Sequence, residues 1–513
     1  MTVGELLRRL GDSSDVATTR SGAGGLDRKV GGIAYDSRSV TPGAIFVALR
    51  GQKTDGAEFA QQSIERGAIA IVSQSAPPVD ETTPWIVVPD ARRALALLAS
   101  AYYGDPSAQL KVVGITGTNG KTTSAYLISA IFDEAGVPCG RLGTVIYRIG
   151  TVERAAARTT PEAPDVQLLL REMVDRGCGA CAMEVSSHAL ALKRVDGMRF
   201  AAAVFTNLTR DHLDFHGDME SYFLAKRSLF ERLEPDAAGV INLDDARGPD
   251  MMAVTTRPMT YAVDRPADVM PGPLSHSLAG VSFEAQTPRG RLTLRSRLVG
   301  HFNVYNILAA VTTAVALDLP STAIQAGVAA LESVPGRFQV VSGRKDEVTV
   351  VVDYAHTDDA LKNLLETARP LARGRLITVF GCGGDRDRTK RPLMGAVAAR
   401  LSDIVVVTSD NPRSEDPERI IEEIKRGIVP AVDRALPRST ASAQANRAPV
   451  CLTIIDRRAA IERAVREAAS GDLVVIAGKG HEKYQEIGGR TQRFDDVEVA
   501  REALARRRTS PTV

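Results

Sequence analysis

The chain has 513 residues, with 64 Lys and Arg against 62 Asp and Glu and a formal charge of +2 at pH 7. A balance this near zero argues against a nucleic-acid partner, which draws on a basic surplus or patch, and five cysteines exclude a disulfide framework and fit a reducing cytoplasm. With 44% hydrophobic residues, 25% charged residues and no apolar run of about 18 residues, the chain reads as a cytoplasmic enzyme without membrane insertion, of about three domains at roughly 150 residues each.

Taken in chain order, short apolar runs alternate with longer helical patterns. The runs lie at 112–115, 181–185, 202–205, 240–241, 348–352, 376–380, 404–407 and 473–477. This spacing predicts βαβ units on parallel sheets buried on both faces, an α/β fold. The runs end in GTNGKTT, SSH, TNLTRDH, NLDD, DYAH, GCGGDRDR, SDNPR and GKGH. Open α/β sheets bind ligands beyond the carboxyl ends of their strands, so these clusters are expected to line an active site. The segments GDPSA, starting at Gly104, and SVPGR, starting at Ser333, read as boundaries. They divide the chain into 1–107, 108–337 and 338–513. The Pro-rich 264–277 and the Ser-, Ala-, Pro- and Arg-rich 436–449 read as loops.

The stretch VVGITGTNGKTT followed by AYLISAIFDEAG reads as strand, glycine loop and amphipathic helix. Glycines let backbone N–H groups curl around phosphate oxygens, and the helix N-terminus adds its positive dipole end. In this pattern Lys121 reaches the outer phosphates and the Thr122 hydroxyl meets Mg²⁺. The match departs from the general phosphate-loop spacing, because Ile115 stands where the first glycine belongs.

Glu184 ends the run CAME, where a carboxylate suits a Mg²⁺ ion bridging nucleotide and substrate. His212, in TRDHLD, is a candidate second ligand. Lys226, in YFLAKRSLF, is four residues from both Tyr222 and Phe230. On a helix that places its amine near an apolar face. Desolvation favours the neutral amine, the form that reacts with CO₂. Cys178 and Cys181 form a C-x-x-C without a partner pair and read as packing rather than zinc ligands.

The ordered motifs GTNGKTT, MEVSSHAL, FTNLTRDHLDFHG, AKRSLF, GHFNVYN, VPGRF, DYAHTDDAL, GCGGDRDRTKRP, DNPRSEDP and AGKGHEKYQ resemble the Mur ligases of peptidoglycan synthesis. The resemblance implies three domains: a UDP-binding N-terminal domain, a central P-loop ATPase on a parallel sheet and a Rossmann-like C-terminal domain. It implies a monomeric, ATP-dependent amide ligase acting through an acyl phosphate. The substrates implied are UDP-N-acetylmuramoyl-L-alanyl-D-glutamate and an amino acid.

Residue by residue, the resemblance implies that Gly117, Thr118, Asn119, Gly120, Lys121, Thr122, Thr123, Asn303, Asn306, Arg337, Asp353 and His356 meet ATP. Thr122 and Glu184 match ligands of one Mg²⁺. His212 and Lys226, the latter as a carbamate made from CO₂, match support for a second. Ser37, Thr159, Thr160, Ser186 and Arg194 match contacts to the UDP-sugar dipeptide. Leu192 stands where some relatives carry a glutamine. Arg386, Asp410, Asn411, Arg413, Gly478 and Glu482 match contacts to the incoming amino acid. Arg413 offers a planar fork to a distal carboxylate and repels a distal ammonium, so meso-2,6-diaminopimelate is expected over L-lysine. A lysine-adding relative, a folylpolyglutamate synthetase and a non-catalytic paralogue are the alternatives. The last is disfavoured because Lys121, Glu184, His212 and Lys226 are all present.

Overall fold

The computed structural model describes residues 1–11, 19–21, 25–51, 54–78, 82–343, 345–433 and 449–509. Apart from Pro449, the predicted loop at 436–449 lies outside these described residues.

Five strands form the first sheet: β1 (Thr19–Ser21), β2 (Gly32–Ala34), β3 (Ala44–Val47), β4 (Ala70–Ser73) and β5 (Trp85–Val87), in the order β1-β5-β4-β3-β2. All neighbours are parallel except β1 with β5. The helices Val3–Gly11 and Ala91–Tyr102 bury Val3, Leu6, Leu10, Leu95 and Leu98 against Ile45, Val47 and Val72. Asp90 starts the second of these helices by accepting from the amides of Arg92 and Arg93, both at 3.0 Å, as an N-cap carboxylate does.

The second sheet holds β6 (Lys111–Thr116), β7 (Cys139–Leu142), β8 (Ile146–Ile149), β9 (Val152–Ala155), β10 (Ala180–Glu184), β11 (Ala202–Phe205), β12 (Ala238–Asn242) and β13 (Pro258–Tyr261). Their order is β13-β12-β11-β6-β10-β7-β8-β9. The first six are parallel, and β8 and β9 add an antiparallel edge. Every residue of β10, β11 and β12 is buried, as a sheet covered on both faces requires. Helices Lys121–Glu134 and His301–Ala316 cover one face. The chain leaves β6 for β7 and later returns as β10 and β11 on its two flanks, so the strand order reverses around β6. Crevices for ligands open at such a reversal.

A small antiparallel sheet follows: β14 (Met270–Pro271), β15 (Ser275–Ser277), β16 (Gly280–Thr287) and β17 (Gly290–Ser296). This corrects the loop expected at 264–277, which contains β14 and β15. Pro271 pairs at the outer side of β16, an edge position where a missing N–H is tolerated.

The last sheet runs β18 (Gln339–Val340), β19 (Thr349–Asp353), β20 (Leu376–Phe380), β21 (Ile404–Val407), β22 (Val450–Thr453) and β23 (Leu473–Ala477), ordered β18-β19-β23-β20-β21-β22. Only β18 is antiparallel. A hairpin, β24 (Tyr484–Ile487) with β25 (Arg490–Arg493), follows it. Helices Lys390–Leu401 and Pro417–Asp433 pack with backbones almost touching. A Cβ on Gly395 would lie 2.1 Å from the Ile424 carbonyl oxygen, and one on Gly427 would lie 1.7 Å from that of Pro392.

Candidate active site

The loop 117–120 joins β6 to the helix Lys121–Glu134. Gly120 has φ 89°, and a Cβ there would stand 2.4 Å from Asn306 Oδ1. Both conformation and space therefore demand glycine. Strand-end residues beside β6 hold the loop. The Asn119 amide donates to Asn207 Oδ1 (2.9 Å), and the Thr206 hydroxyl donates to the Asn119 carbonyl (2.6 Å). Thr118 Oγ1 lies 3.1 Å from the Tyr222 hydroxyl, and Thr123 is buried in the first helical turn. Lys121 Nζ folds back onto the carbonyls of Gly117 (2.8 Å) and Thr118 (2.7 Å). Burial lowers its pKa, while Glu184 and Asp211 oppose that shift.

Lys226 meets the same loop from the helix Met219–Phe230. It is 1% exposed, and its Nζ donates to the Gly117 carbonyl at 2.9 Å and sits 4.3 Å above the Tyr222 ring. Burial, reinforced by Lys121, pulls its pKa well below the ordinary lysine value. The amine is therefore held toward the neutral, nucleophilic form.

Glu184 ends β10 and is also 1% exposed. Its carboxylate accepts from the Thr144 amide (2.9 Å) and hydroxyl (3.0 Å). Thr144 Oγ1 also lies 3.1 Å from Thr159 Oγ1. Thr160 donates to the Glu184 carbonyl at 2.8 Å and accepts from the Ser186 amide at 3.1 Å. Arg194 donates to the Thr160 carbonyl (3.0 Å) and pairs with Glu162 (2.7 Å). Thus Thr159, Thr160, Ser186 and Arg194 form one bonded group around the end of β10. Leu192 follows the helix Ser187–Ala191 and donates its amide to the His188 carbonyl at 2.8 Å. Ser37 is buried on the first sheet's side, in a short turn that Asp36 caps.

His212 has the left-handed φ of 54° and packs edge-on to His188, centroids 4.7 Å apart. Burial lowers its pKa while Asp211 opposes that. A neutral imidazole is the form that ligates a metal. Thr122, Glu184 and His212 offer a hydroxyl, a carboxylate and an imidazole, and the two oxygens are hard donors of the kind Mg²⁺ takes. Among the described residues no three His, Cys, Asp or Glu side chains gather as a metal cluster. A carbamate on Lys226 would add an acidic oxygen ligand beside this loop. Cys178 and Cys181 are buried and unbonded to each other.

The last sheet meets this site directly. Arg337 Nη2 donates to Thr122 Oγ1 at 3.1 Å, and the guanidinium lies 4.7 Å from the Tyr354 ring. Asn119 Nδ2 donates to Asp359 Oδ2 at 3.1 Å. Asp353, at the end of β19, accepts from the amides of Phe338 (2.6 Å) and Ala355 (2.7 Å), and burial raises its pKa against Arg337. His356 Nδ1 lies 2.9 Å from the Tyr354 carbonyl oxygen. Asn303 and Asn306 are buried and bonded to each other at 2.9 Å, placing Asn306 over the glycine loop.

Farther along the same sheet edge, loops after β20, β21 and β23 converge. Asn411 Nδ2 donates to Glu482 Oε2 (2.9 Å), and Asn411 Oδ1 accepts from Lys479 Nζ (3.0 Å). Lys479, fully buried, also bonds Glu482 at 3.0 Å. Asp410 accepts from the Asn411 amide at 2.7 Å. Gly478 has φ 114°, and a Cβ on it would meet Asp410 Oδ2 at 2.6 Å. Arg413 donates to the Gly384 carbonyl at 2.7 Å and faces Glu486 at 3.5 Å. Arg386 donates to the Asp385 carbonyl at 3.0 Å. Sequence reasoning did not single out Thr144, Asn207, Asp359 or Lys479. Asn207, Asp359 and Lys479 carried a signal as parts of TNLTRDH, DYAHTDDAL and GKGH, whereas Thr144 enters through strand pairing.

A phosphate-type loop at a sheet reversal, sealed by a second parallel sheet, defines the class, and the chain belongs to the Mur ligase family. The Mur ligase family catalytic domain matches residues 29–103, the Mur ligase middle domain 115–314 and the Mur ligase glutamate ligase domain 336–480. The chain is 49% identical over 484 residues to the UDP-N-acetylmuramoyl-L-alanyl-D-glutamate–2,6-diaminopimelate ligase of Gloeobacter violaceus, covering 94% of this chain and 95% of that one. It is 46% identical over 501 residues to the ligase of the same name from Geobacter metallireducens, covering 96% and 97%. A solved structure of such a ligase superposes with TM-score 0.69 at 35% identity, covering 99% of this chain and 100% of the other. A folylpolyglutamate synthase from Mycobacterium tuberculosis shares the fold at TM-score 0.58 and 19% identity, covering 79% and 93%.

Proposed function

We propose that the chain joins meso-2,6-diaminopimelate to UDP-N-acetylmuramoyl-L-alanyl-D-glutamate, consuming ATP. The observation that carries this reading is the bonded assembly of Lys121, Thr122, Lys226 and Arg337 around one glycine loop, with Arg413 at the neighbouring loop cluster. The high identity to ligases of that name supports it.

The reaction needs two substitutions. A carboxylate oxygen of the UDP-linked dipeptide attacks the γ-phosphorus of ATP, ADP leaves and an acyl phosphate forms. The amine of the incoming amino acid then attacks the acyl carbon. The tetrahedral intermediate collapses to an amide as phosphate leaves and the amine loses its proton. In this scheme the loop amides, Lys121 and Arg337 hold the phosphates and offset their charge. Asn303, Asn306, Asp353 and His356 border the nucleotide. Ser37, Thr159, Thr160, Ser186 and Arg194 bind the UDP-sugar dipeptide, a polyanion. Thr122 and Glu184 hold one Mg²⁺. His212 and Lys226 hold another, once the Lys226 amine has added CO₂ and lost a proton to become a carbamate. The metal supplies neutralisation of the anionic groups brought together there.

Arg386, Asp410, Asn411, Arg413, Gly478 and Glu482 receive the amino acid. Arg413 takes the distal carboxylate as a fork, and Glu482 faces the distal ammonium. Among the described residues no helix is long and apolar enough to cross a membrane. The reading places the enzyme in the cytoplasm as a monomer, without nucleic-acid partners.

The test is phosphate release with ATP, Mg²⁺ and the UDP-linked dipeptide, with meso-diaminopimelate or L-lysine as acceptor. Turnover with the first and little with the second is expected. A preference for lysine overturns the acceptor assignment, and turnover with neither favours a non-catalytic paralogue.

A further inference from the structure

Arg391 lies outside every contact named so far, yet it is among the most deeply enclosed charges of the chain. It sits in the first turn of the helix Lys390–Leu401 with no exposed side-chain surface. A lone buried arginine is costly, and here three of its side-chain bonds run to the two loops that receive the amino acid. Its Nη1 and Nη2 grip the two oxygens of Glu415 at 2.9 and 2.8 Å, the paired geometry of a guanidinium on a carboxylate. Nη2 also donates to the Gly383 carbonyl (3.2 Å), and Nη1 to Glu423 Oε2 (2.8 Å).

Glu415 completes the link, because its Oε1 also accepts from the Asp385 amide at 2.6 Å. These bonds hold Glu415 down to a pKa of about 2, through Arg391 first. The loop with Gly383, Asp385 and Arg386 is thereby joined to the loop with Asn411, Arg413 and Glu415. Further bonds close the same seam. The Gly384 amide donates to the Asn411 carbonyl (2.9 Å), and the Ser414 hydroxyl donates to Asp385 (2.7 Å).

The seam coincides with strain. Asp385 and Arg413 both hold left-handed backbone, φ 52° and 53°, a conformation that non-glycine residues keep only where neighbours enforce it. One precedes Arg386, and the other is the residue assigned to the distal carboxylate.

We infer that Arg391 and Glu415 are positioning residues, touching no substrate, that fix the two amino-acid-receiving loops against each other and so set the spacing between Arg386 and Arg413. This rests on the acceptor site proposed above.

Two variants, Glu415→Gln and Arg391→Lys, test it with two readouts. In steady-state kinetics the KM for the amino acid should rise by roughly tenfold or more, the scale of a lost charge-assisted bond. The KM values for ATP and the UDP-linked dipeptide should stay within about twofold. By hydrogen exchange, amides at 383–386 and 411–416 should lose protection while those at 117–120 keep theirs. All three KM values rising together, or a lowered melting temperature with every KM unchanged, would reduce the pair to general stabilisation and overturn the inference. Unchanged exchange at both loops would do the same. Either variant alone suffices if the other fails to fold. If wild-type protein uses neither acceptor, the acceptor reading fails by itself, and the exchange result still decides whether this pair holds the two loops.

Discussion

Asp496→Asn isolates the energetic weight of one buried charge. Arg457, from the helix Arg457–Glu467, and Asp496, from the helix Asp496–Thr509, have no exposed side-chain surface and share bonds of 2.8 and 2.7 Å. The same guanidinium donates to the carbonyls of Ala477 (3.0 Å) and Ser409 (3.4 Å) and stands 4.0 Å from Asp410. It therefore pins the last residue of β23 to the segment just after β21, immediately before Gly478 and Asp410.

An asparagine keeps the shape but removes the counter-charge. Breaking one half of a buried pair costs about 3–5 kcal/mol, because the remaining charge stays desolvated. For a unit of this size roughly 2–4 °C of melting temperature follows each kcal/mol, so a fall of roughly 6–20 °C is expected by calorimetry. Replacing both partners by apolar residues, Arg457→Met with Asp496→Leu, should recover most of it, since a buried pair can be near-neutral against good packing. A single variant within about 2 °C of wild type, or a double variant worse than the single, would refute the assignment of that energy to an unpaired charge.

Lys226→Ala should abolish ligase turnover, and added formate or acetate should restore part of it by supplying the missing carboxylate; full activity in the variant would remove the carbamate role. Arg413→Ala should lose about 1.5–3 kcal/mol of a charge-assisted bond, roughly 10- to 150-fold in kcat/KM for meso-diaminopimelate, and narrow the gap to L-lysine, with an unchanged ratio counting against the fork. Acid should destabilise the last sheet in two stages. Burial lowers the His481 pKa from 6.5 to about 3, so its unfolded form takes up the proton first, and stability present above pH 6.5 is lost as pH falls toward 3. Glu415, lowered from 4.5 to about 2 by Arg391, adds a second loss between those values. A melting temperature flat from pH 7 to 4 would contradict the first stage.

Contiguous chemistry was legible in the chain itself. The apolar runs at 202–205, 376–380, 404–407 and 473–477 coincide with β11, β20, β21 and β23, because a fully buried parallel strand leaves an unbroken apolar signature. The glycine loop was legible for the same reason: strand, turn and helix are consecutive. Structure formed through pairing was not. The edge strands β8 and β9 carry Arg148, Glu153 and Arg154 and leave no unbroken apolar run, since an edge needs apolar residues on only part of its surface. Thr144 acquires its role because β7 lies beside β10, a neighbour about 40 residues away. Arg391 and Arg457 sit in the basic stretches RTKRP and DRRAA, where nothing local distinguishes a buried arginine from a solvated one. The bonds from Arg337 to Thr122 and from Asn119 to Asp359 cross between sheets and exist only once those sheets meet.

The near-contact of the helices Lys390–Leu401 and Pro417–Asp433 bears on what is free to move. Gly395 and Gly427 bring the two backbones so close that a Cβ on either would collide with the other helix. The loops that end in Arg386 and Arg413 are the leading segments of these same two helices. If the last sheet swings relative to the glycine loop, both loops travel as a single jaw of fixed gape. On the acceptor site proposed above, the grip on an incoming amino acid would then be set when the chain folds, and any swing would change only where that jaw is delivered.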